Sequence, residues 1–290
     1  MNDSRARLLG MKKFLASAMI VTALVAAVAA PTPPALFSLE QPFAGTVPLT
    51  ARGSERVDLR FAPNTTQLEV KVRGKVQQLE LTTLGDNMKG YVSVSDFNFD
   101  GWADIAVPSG VGYSGVNYFY NLYTFQPSQS RFVLLEFPGD AGLCNPIIQI
   151  ATRTIETNCK SVPRYYATDY RFARGKPYIY RSAEMVVLNV FNSDQYLVYA
   201  VSTFDSSGKL LRSSISDDPH REVAPLRYLP VPKAVLYSAP RANAITVNYI
   251  VRGDAIRILS VFDGEAGQWV KIAYQSRKLG RIVRWILLEV

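Results

Sequence analysis

The stretch Asp96-Phe97-Asn98-Phe99-Asp100-Gly101-Trp102-Ala103-Asp104-Ile105-Ala106-Val107 decides how this chain is read. Counted from Asp96, oxygen-bearing side chains fall at positions 1, 3, 5 and 9, with Gly101 at position 6. A hard cation such as Ca²⁺ takes six to eight oxygens at roughly 2.3–2.6 Å. Alternate residues of a tight loop can turn Asp96, Asn98 and Asp100 toward one centre. Gly101 permits the sharp reversal, the carbonyl of Trp102 can face inward, and Asp104 closes the far side. Without a cation, three carboxylates this close repel one another. An EF-hand would continue to a bidentate Glu at position 12. Here that position is Val107, inside an apolar run that reads as a strand, so the loop is expected between strands. The alternative is a metal-free turn in which Asp and Asn accept hydrogen bonds from their own backbone.

The chain start indicates the compartment. Lys12 and Lys13 precede an apolar run over residues 14–30, and Ala27-Val28-Ala29 has the Ala-x-Ala pattern of a cleavage site. This predicts a secretory signal peptide over residues 1–29. The run is short and Ala-rich for a membrane span, and no Cys near the cleavage site offers a lipid anchor. Translation could start at Met1 or at Met11. Cleavage takes four basic residues (Arg5, Arg7, Lys12, Lys13) and one acidic (Asp3) from a chain of formal charge +8, leaving +5. A mildly basic exported protein suits anionic envelope partners. Without a reading motif, nucleic acid is not expected. Cys144 and Cys159 bracket residues 145–150 and 152–157, which read as two arms of a hairpin. A disulfide across its open end is expected in an oxidising, periplasmic or extracellular setting; the alternative is two unpaired core cysteines.

Short runs rich in Val, Tyr, Phe, Ile and Thr recur at residues 67–72, 76–84, 91–94, 118–125, 131–137, 178–190 and 196–204. Turn signals separate them, and none has a helical period. The class is all-β: hairpins at this spacing suit propeller blades or a sandwich. With one complete calcium loop, an array of metal-bearing repeats is not supported. After a Pro-rich lead-in over residues 30–43, the calcium-loop domain spans 44–214. A charged, proline-rich linker at 215–232 and a smaller unit at 233–290 follow.

The spacing of the loop resembles the Asp-x-Asn-x-Asp-Gly-x-x-Asp loop of FG-GAP/VCBS-type β-propeller repeats. The order of features after it includes the Gly112–Gly115 turn, Asn117-Tyr118-Phe119-Tyr120-Asn121-Leu122-Tyr123, Asn145-Pro146 and Tyr165-Tyr166. Over about residues 65–215 this is similar to a bacterial family of exported calcium-loop, propeller-like proteins. Its characterised relatives are periplasmic immunity proteins that inhibit peptidoglycan hydrolase effectors of a type IV secretion system. That resemblance implies a protein partner of this kind. The smaller unit resembles bacterial SH3 (SH3b) domains: Leu236-Tyr237 with Pro240, Tyr249-Ile250 with Gly253-Asp254, Trp269 with Ile272, and Trp285-Ile286. It departs at Arg284, where the family usually has Gly. The resemblance implies a small barrel, with Tyr237, Trp269, Arg284 and Trp285 as candidate binding residues and peptidoglycan as an alternative partner.

Enzyme chemistry is not expected. The sole histidine, His220, falls in the expected linker, so a Ser–His–Asp or Cys–His arrangement has no well-held base. A zinc site lacks ligands. A glycosidase needs only two carboxylates and stays open as a lesser alternative, although a structural cation would already occupy Asp96, Asp100 and Asp104. Strand alternation places Tyr118, Tyr120 and Leu122 on one face and Phe119, Asn121 and Tyr123 on the other, mostly as packing. A partner surface is expected at residues 112–117, with Tyr113 and Asn117 as candidates. The basic cluster Arg277, Lys278, Arg281 and Arg284 reads as a solvated face, or as a contact for anionic groups. The reading is an exported, calcium-binding, non-enzymatic binding protein.

Overall fold

The structure is a computed structural model describing residues 34–62, 65–81, 90–139, 143–161, 164–190 and 194–288, without the side chains of 189–190 and 194–196. The expected signal peptide, both candidate start residues and the first part of the lead-in lie outside the described residues. Strands account for nearly all the regular structure. The first ten are β1 (Ala35–Ser38), β2 (Phe43–Pro48), β3 (Arg56–Phe61), β4 (Gln67–Val72), β5 (Lys75–Glu80), β6 (Tyr91–Ser95), β7 (Asp104–Gly112), β8 (Asn117–Gln126), β9 (Arg131–Leu135) and β10 (Leu143–Cys144). Next come β11 (Ile147–Gln149), β12 (Thr154–Ser161), β13 (Arg164–Ala173), β14 (Lys176–Val190), β15 (Asp194–Phe204) and β16 (Leu210–Ser216). The last six are β17 (Leu226–Tyr228), β18 (Lys233–Tyr237), β19 (Ile245–Val251), β20 (Ala255–Gly264), β21 (Gly267–Ser276) and β22 (Gly280–Leu288). Among the described residues no α-helix forms.

These strands make four antiparallel sheets. β2-β3-β4-β5 is a meander. A central sheet runs β1-β6-β7-β8-β10, with β9 also on β8. A third runs in sequence from β11 to β16, and a fourth in the order β17-β20-β21-β22-β18-β19. No closed barrel or propeller forms among the described residues; the fourth sheet keeps two edges, β17 and β19. The sheets instead stack face to face.

Period-two alternation explains the stacking. In β3 every second residue is buried (Val57, Leu59, Phe61), and β4 buries Leu68, Val70 and Val72. These meet Val92, Val94, Ile105, Val107 and Phe125 from one face of the central sheet. The opposite face, through Ala106 and Leu122, packs on Ile155 and Tyr170 of the third sheet. A further core joins Leu188, Val198 and Ile215 to Leu229, Leu236, Ile250, Ile272 and Ile286. The stretch expected as a linker is therefore structured: it ends β16, supplies β17 on β20, and buries Leu229 at 1% exposure.

Candidate metal centre and the cleft beside it

The acidic loop connects β6 to β7 across the central sheet. Phe99 (φ 62°) and Gly101 (φ 94°) adopt left-handed backbone, which reverses the chain within a few residues. Asp96 accepts the N–H groups of Asp100 and Gly101 on its two oxygens, at 3.0 and 2.9 Å. Asn98 Oδ1 accepts Asp100 N–H at 2.9 Å, Asp100 Oδ1 accepts Trp102 N–H at 2.9 Å, and the Asn98 amide donates to Asp100 Oδ2 at 2.9 Å. Asp104 is fully buried. Its Oδ2 takes the N–H groups of Phe97 (3.0 Å) and Asn98 (3.1 Å), and its Oδ1 that of Phe125 (3.0 Å). Trp102 bridges to Thr50 and packs on Phe125 at 5.4 Å.

Burial pushes the Asp104 carboxyl well above the usual carboxylate range, with the charges of Asp100 and Asp96 adding to it. Burial and Asp100 also raise Asp96. Among the described residues no ion pair involves Asp96, Asp100 or Asp104. No three Asp, Glu, His or Cys side chains there are grouped closely enough to hold a metal by themselves. The donor set fits a hard divalent ion in kind, since carboxylates, the Asn98 amide and a backbone carbonyl are its preferred ligands. Asp104, however, turns its oxygens to backbone amides.

Sequence spacing gave no sign of the loop's outer support. Arg153, itself left-handed (φ 51°), donates from Nη2 to Phe99 O at 2.6 Å and lies over the Phe99 ring. This ties the loop to the third sheet. The expected disulfide Cys144–Cys159 is present and joins β10 of the central sheet to β12 of the third. The hairpin it was expected to close is there as β11–β12.

Beside the loop a cavity of about 670 Å³ opens on the central sheet, lined by Pro34, Leu36, Tyr91, Phe97, Tyr118 and Tyr120 and walled by residues 145–148. Leu36 and Ile147 stand at its rim, 63% and 52% exposed. The expected alternation of β8 holds: Tyr118 and Tyr120 line the cleft, Leu122 is buried on that side, and Tyr123 packs into the opposite core. Burial, with Tyr118 and Tyr91 alongside, raises the Tyr120 phenol.

The turn at 112–117 carries three successive left-handed residues, Tyr113 (φ 55°), Ser114 (φ 53°) and Gly115 (φ 87°). Asn117 is buried and clamps it: Nδ2 donates to Lys160 O at 2.8 Å, and Lys160 N–H donates to Oδ1 at 2.9 Å. Lys160 Nζ lies over the Tyr113 and Tyr165 rings at 5.1 and 5.6 Å. Asn117 thus supports the turn, and Tyr113 is its ring.

In the fourth sheet Trp269 is 1% exposed and packs edge-on against Tyr237 at 4.9 Å, as core. Trp285 pairs with Tyr237 across β22 and β18, and Lys271 Nζ lies 5.8 Å from its ring centre. Arg284, one residue away, points to the other face, its Nη1 donating to Val283 O at 2.8 Å. His220 is held by two acceptors: Nδ1 lies 2.6 Å from Asp169 Oδ1, and Nε2 lies 3.1 Å from Asn158 Oδ1. Arg181 completes the cluster, donating to Asp169 Oδ2 at 2.8 Å.

No protein-family model matches the chain, and no curated protein matches it. Among solved structures, a Xanthomonas protein described as type IV secretion system related is similar over 60% of this chain and 98% of its own, with 15% identity and a TM-score of 0.38. The chain is thus a distant structural neighbour of a type IV secretion system related protein.

Proposed function

We propose that this chain is an exported binding protein without catalytic activity, whose partner is a protein, in the first instance a peptidoglycan hydrolase. The observation that carries the reading is the apolar, tyrosine-lined cleft on the central sheet. Aromatic and aliphatic walls with a few phenol hydroxyls suit the burial of a partner's side chains. The clamped turn at Tyr113 adds a rigid projection that loses little entropy on contact. The resemblance of the acidic loop to calcium loops of exported propeller-like families points the same way. In this reading Asp96, Asn98, Asp100 and the Trp102 carbonyl hold Ca²⁺, with Asp104 behind them, and the fourth sheet is an open, SH3b-like unit. The disulfide suits a periplasmic or extracellular location.

The test is inhibition of purified lysozyme-like and amidase-type peptidoglycan hydrolases. The chain should inhibit at least one dose-dependently, and Ile147→Arg at the rim should weaken inhibition more than tenfold. A second reading, peptidoglycan binding, rests on Arg277 and Lys278 in the β21–β22 turn and Arg281 at the start of β22, all exposed. Sacculus co-sedimentation without inhibition of any hydrolase would favour it. Calcium is tested separately. The ion should raise the melting temperature, since saturation a hundredfold above Kd stabilises by about 2.7 kcal/mol. Asp100→Ala, at an exposed position, should abolish the rise.

A further inference from the structure

Residues 217–225, between β16 and β17, form a strap on the face of the third sheet turned away from the central sheet. On that face one cross-strand row holds Ala167, Ala183 and Val201, and the next holds Asp169, Arg181 and Thr203. The register runs unshifted through both rows; its shifts lie beyond them, at Asp169/Tyr170 and Thr203/Phe204. Ala167, Ala183 and Val201 are buried there, and the two alanines leave room for a backbone to lie close.

The strap is pinned toward both ends of these rows. At the β15–β16 end, Glu222 Oε1 accepts the Thr203 hydroxyl at 2.8 Å, and Oε2 pairs with Arg212 at 2.8 Å. At the β12–β13 end, both ring nitrogens of His220 face oxygen: Nδ1 meets Asp169 Oδ1 and Nε2 meets Asn158 Oδ1. Only an imidazolium carries a proton for each. The neutral ring loses one bond. Turning the Asn158 amide over would restore it, yet would leave buried Asp169 without the charge of the ring. Glu156 of β12 and Asp218 of the strap add negative charge near the imidazole. Arg181, the cation of β14 beside it, bonds Asp169 and the His220 carbonyl and faces Glu222, while Arg221 reaches Asp218.

We propose that this strap is a proton-controlled latch, closed on the third sheet while His220 is charged and opening locally as His220 loses its proton. In the closed form burial works against the charged ring, but Asp169, Glu156 and Asp218 outweigh it. In the open form the ring meets water. The closed strap therefore binds the proton more tightly, and opening grows as pH rises through neutrality. Opening bares the strip of Ala167, Ala183 and Val201.

Amide exchange on the full chain between pH 6 and 8 tests this, read as protection factors so that the intrinsic pH dependence of exchange drops out. The N–H groups of His220 and Val223 donate to Asp218 Oδ1 and Ser216 Oγ. Their protection should fall about threefold or more over that range and stay below that of β13 and β14. Glu222→Gln, which weakens the other pin but removes no proton titrating near neutrality, should lower strap protection at every pH and keep the slope. His220→Gln should lower it and abolish the slope. Protection flat from pH 6 to 8, a slope that survives His220→Gln, strap amides as protected as the sheet core, or imidazole nitrogen shifts showing a neutral ring at pH 6 would each overturn the inference.

Discussion

Asp104 spends both oxygens on the amides of Phe97, Asn98 and Phe125. Spacing alone placed it near the loop's other oxygens. It gave no hint of Phe125, because that contact depends on β8 returning beside β7. Asp104→Ala leaves three buried amides without an acceptor, at about 1–3 kcal/mol for each group left unpaired. A loss of more than about 3 kcal/mol in urea unfolding is expected, with or without added calcium. His220 was still less legible, since nothing in a charged, proline-rich run announces that Asp169 and Asn158 await it. Burial works against its imidazolium, but the hydrogen bond and charge of Asp169, with Glu156 and Asp218, outweigh it, so its pKa is raised from 6.5. The folded chain then holds the proton more tightly than the unfolded one. The stabilisation is fully present below pH 6.5 and is lost as pH rises through the folded value. Melting temperature should fall between pH 6 and 8 in the wild type and fall less in His220→Gln.

At the scale of elements, alternation was a dependable guide. It located most strands and assigned the two faces of β8, because one face of each must be buried. Turns followed chemistry less closely: Arg73-Gly74 and Arg174-Gly175 close hairpins with positive φ at both positions, where Asn or Asp is usual. The turn at Tyr113 gave a sequence cue only through Gly115, and its clamp comes from Lys160, 43 residues after Asn117. Asn117→Ala removes two hydrogen bonds from that clamp and should cost about 2 kcal/mol. On the proposed inhibition of a hydrolase it should weaken that inhibition too, and Asn117→Asp, which keeps the acceptor for Lys160 N–H but turns a buried carboxylate oxygen toward Lys160 O, should lose no less stability.

At the scale of the whole molecule, the expected division at 215–232 meets a core that runs straight through it. Leu188 and Val198 of the third sheet pack in one cluster with Leu236 and Ile286 of the fourth. The sequence showed the charges and prolines there, but not that Leu229 between them is buried. Calorimetry should show one unfolding transition rather than two. Leu188→Ala should lower that single transition by about 2–5 kcal/mol, the range for emptying a fully buried leucine site.

The Cys144–Cys159 bridge closes a separation of 15 residues next to the wall formed by Asn145 and Pro146. In the chain-entropy account a closure of that length is worth about 3 kcal/mol. Reduced, the wall keeps the β11–β12 ladder at Ile147 and Ile148, but its tie to the central sheet rests on the two-residue ladder of β10 and on the side chain of Asn145, which bonds Val116, Tyr118 and Asn158. Cys144→Ser with Cys159→Ser should therefore loosen the cleft before it unfolds the sheets, seen as faster amide exchange at Ile147 and Ile148. Newly made chain in a reducing cytosol would share that looseness. On the proposed export, oxidation after translocation, rather than synthesis, is the step that firms the cleft.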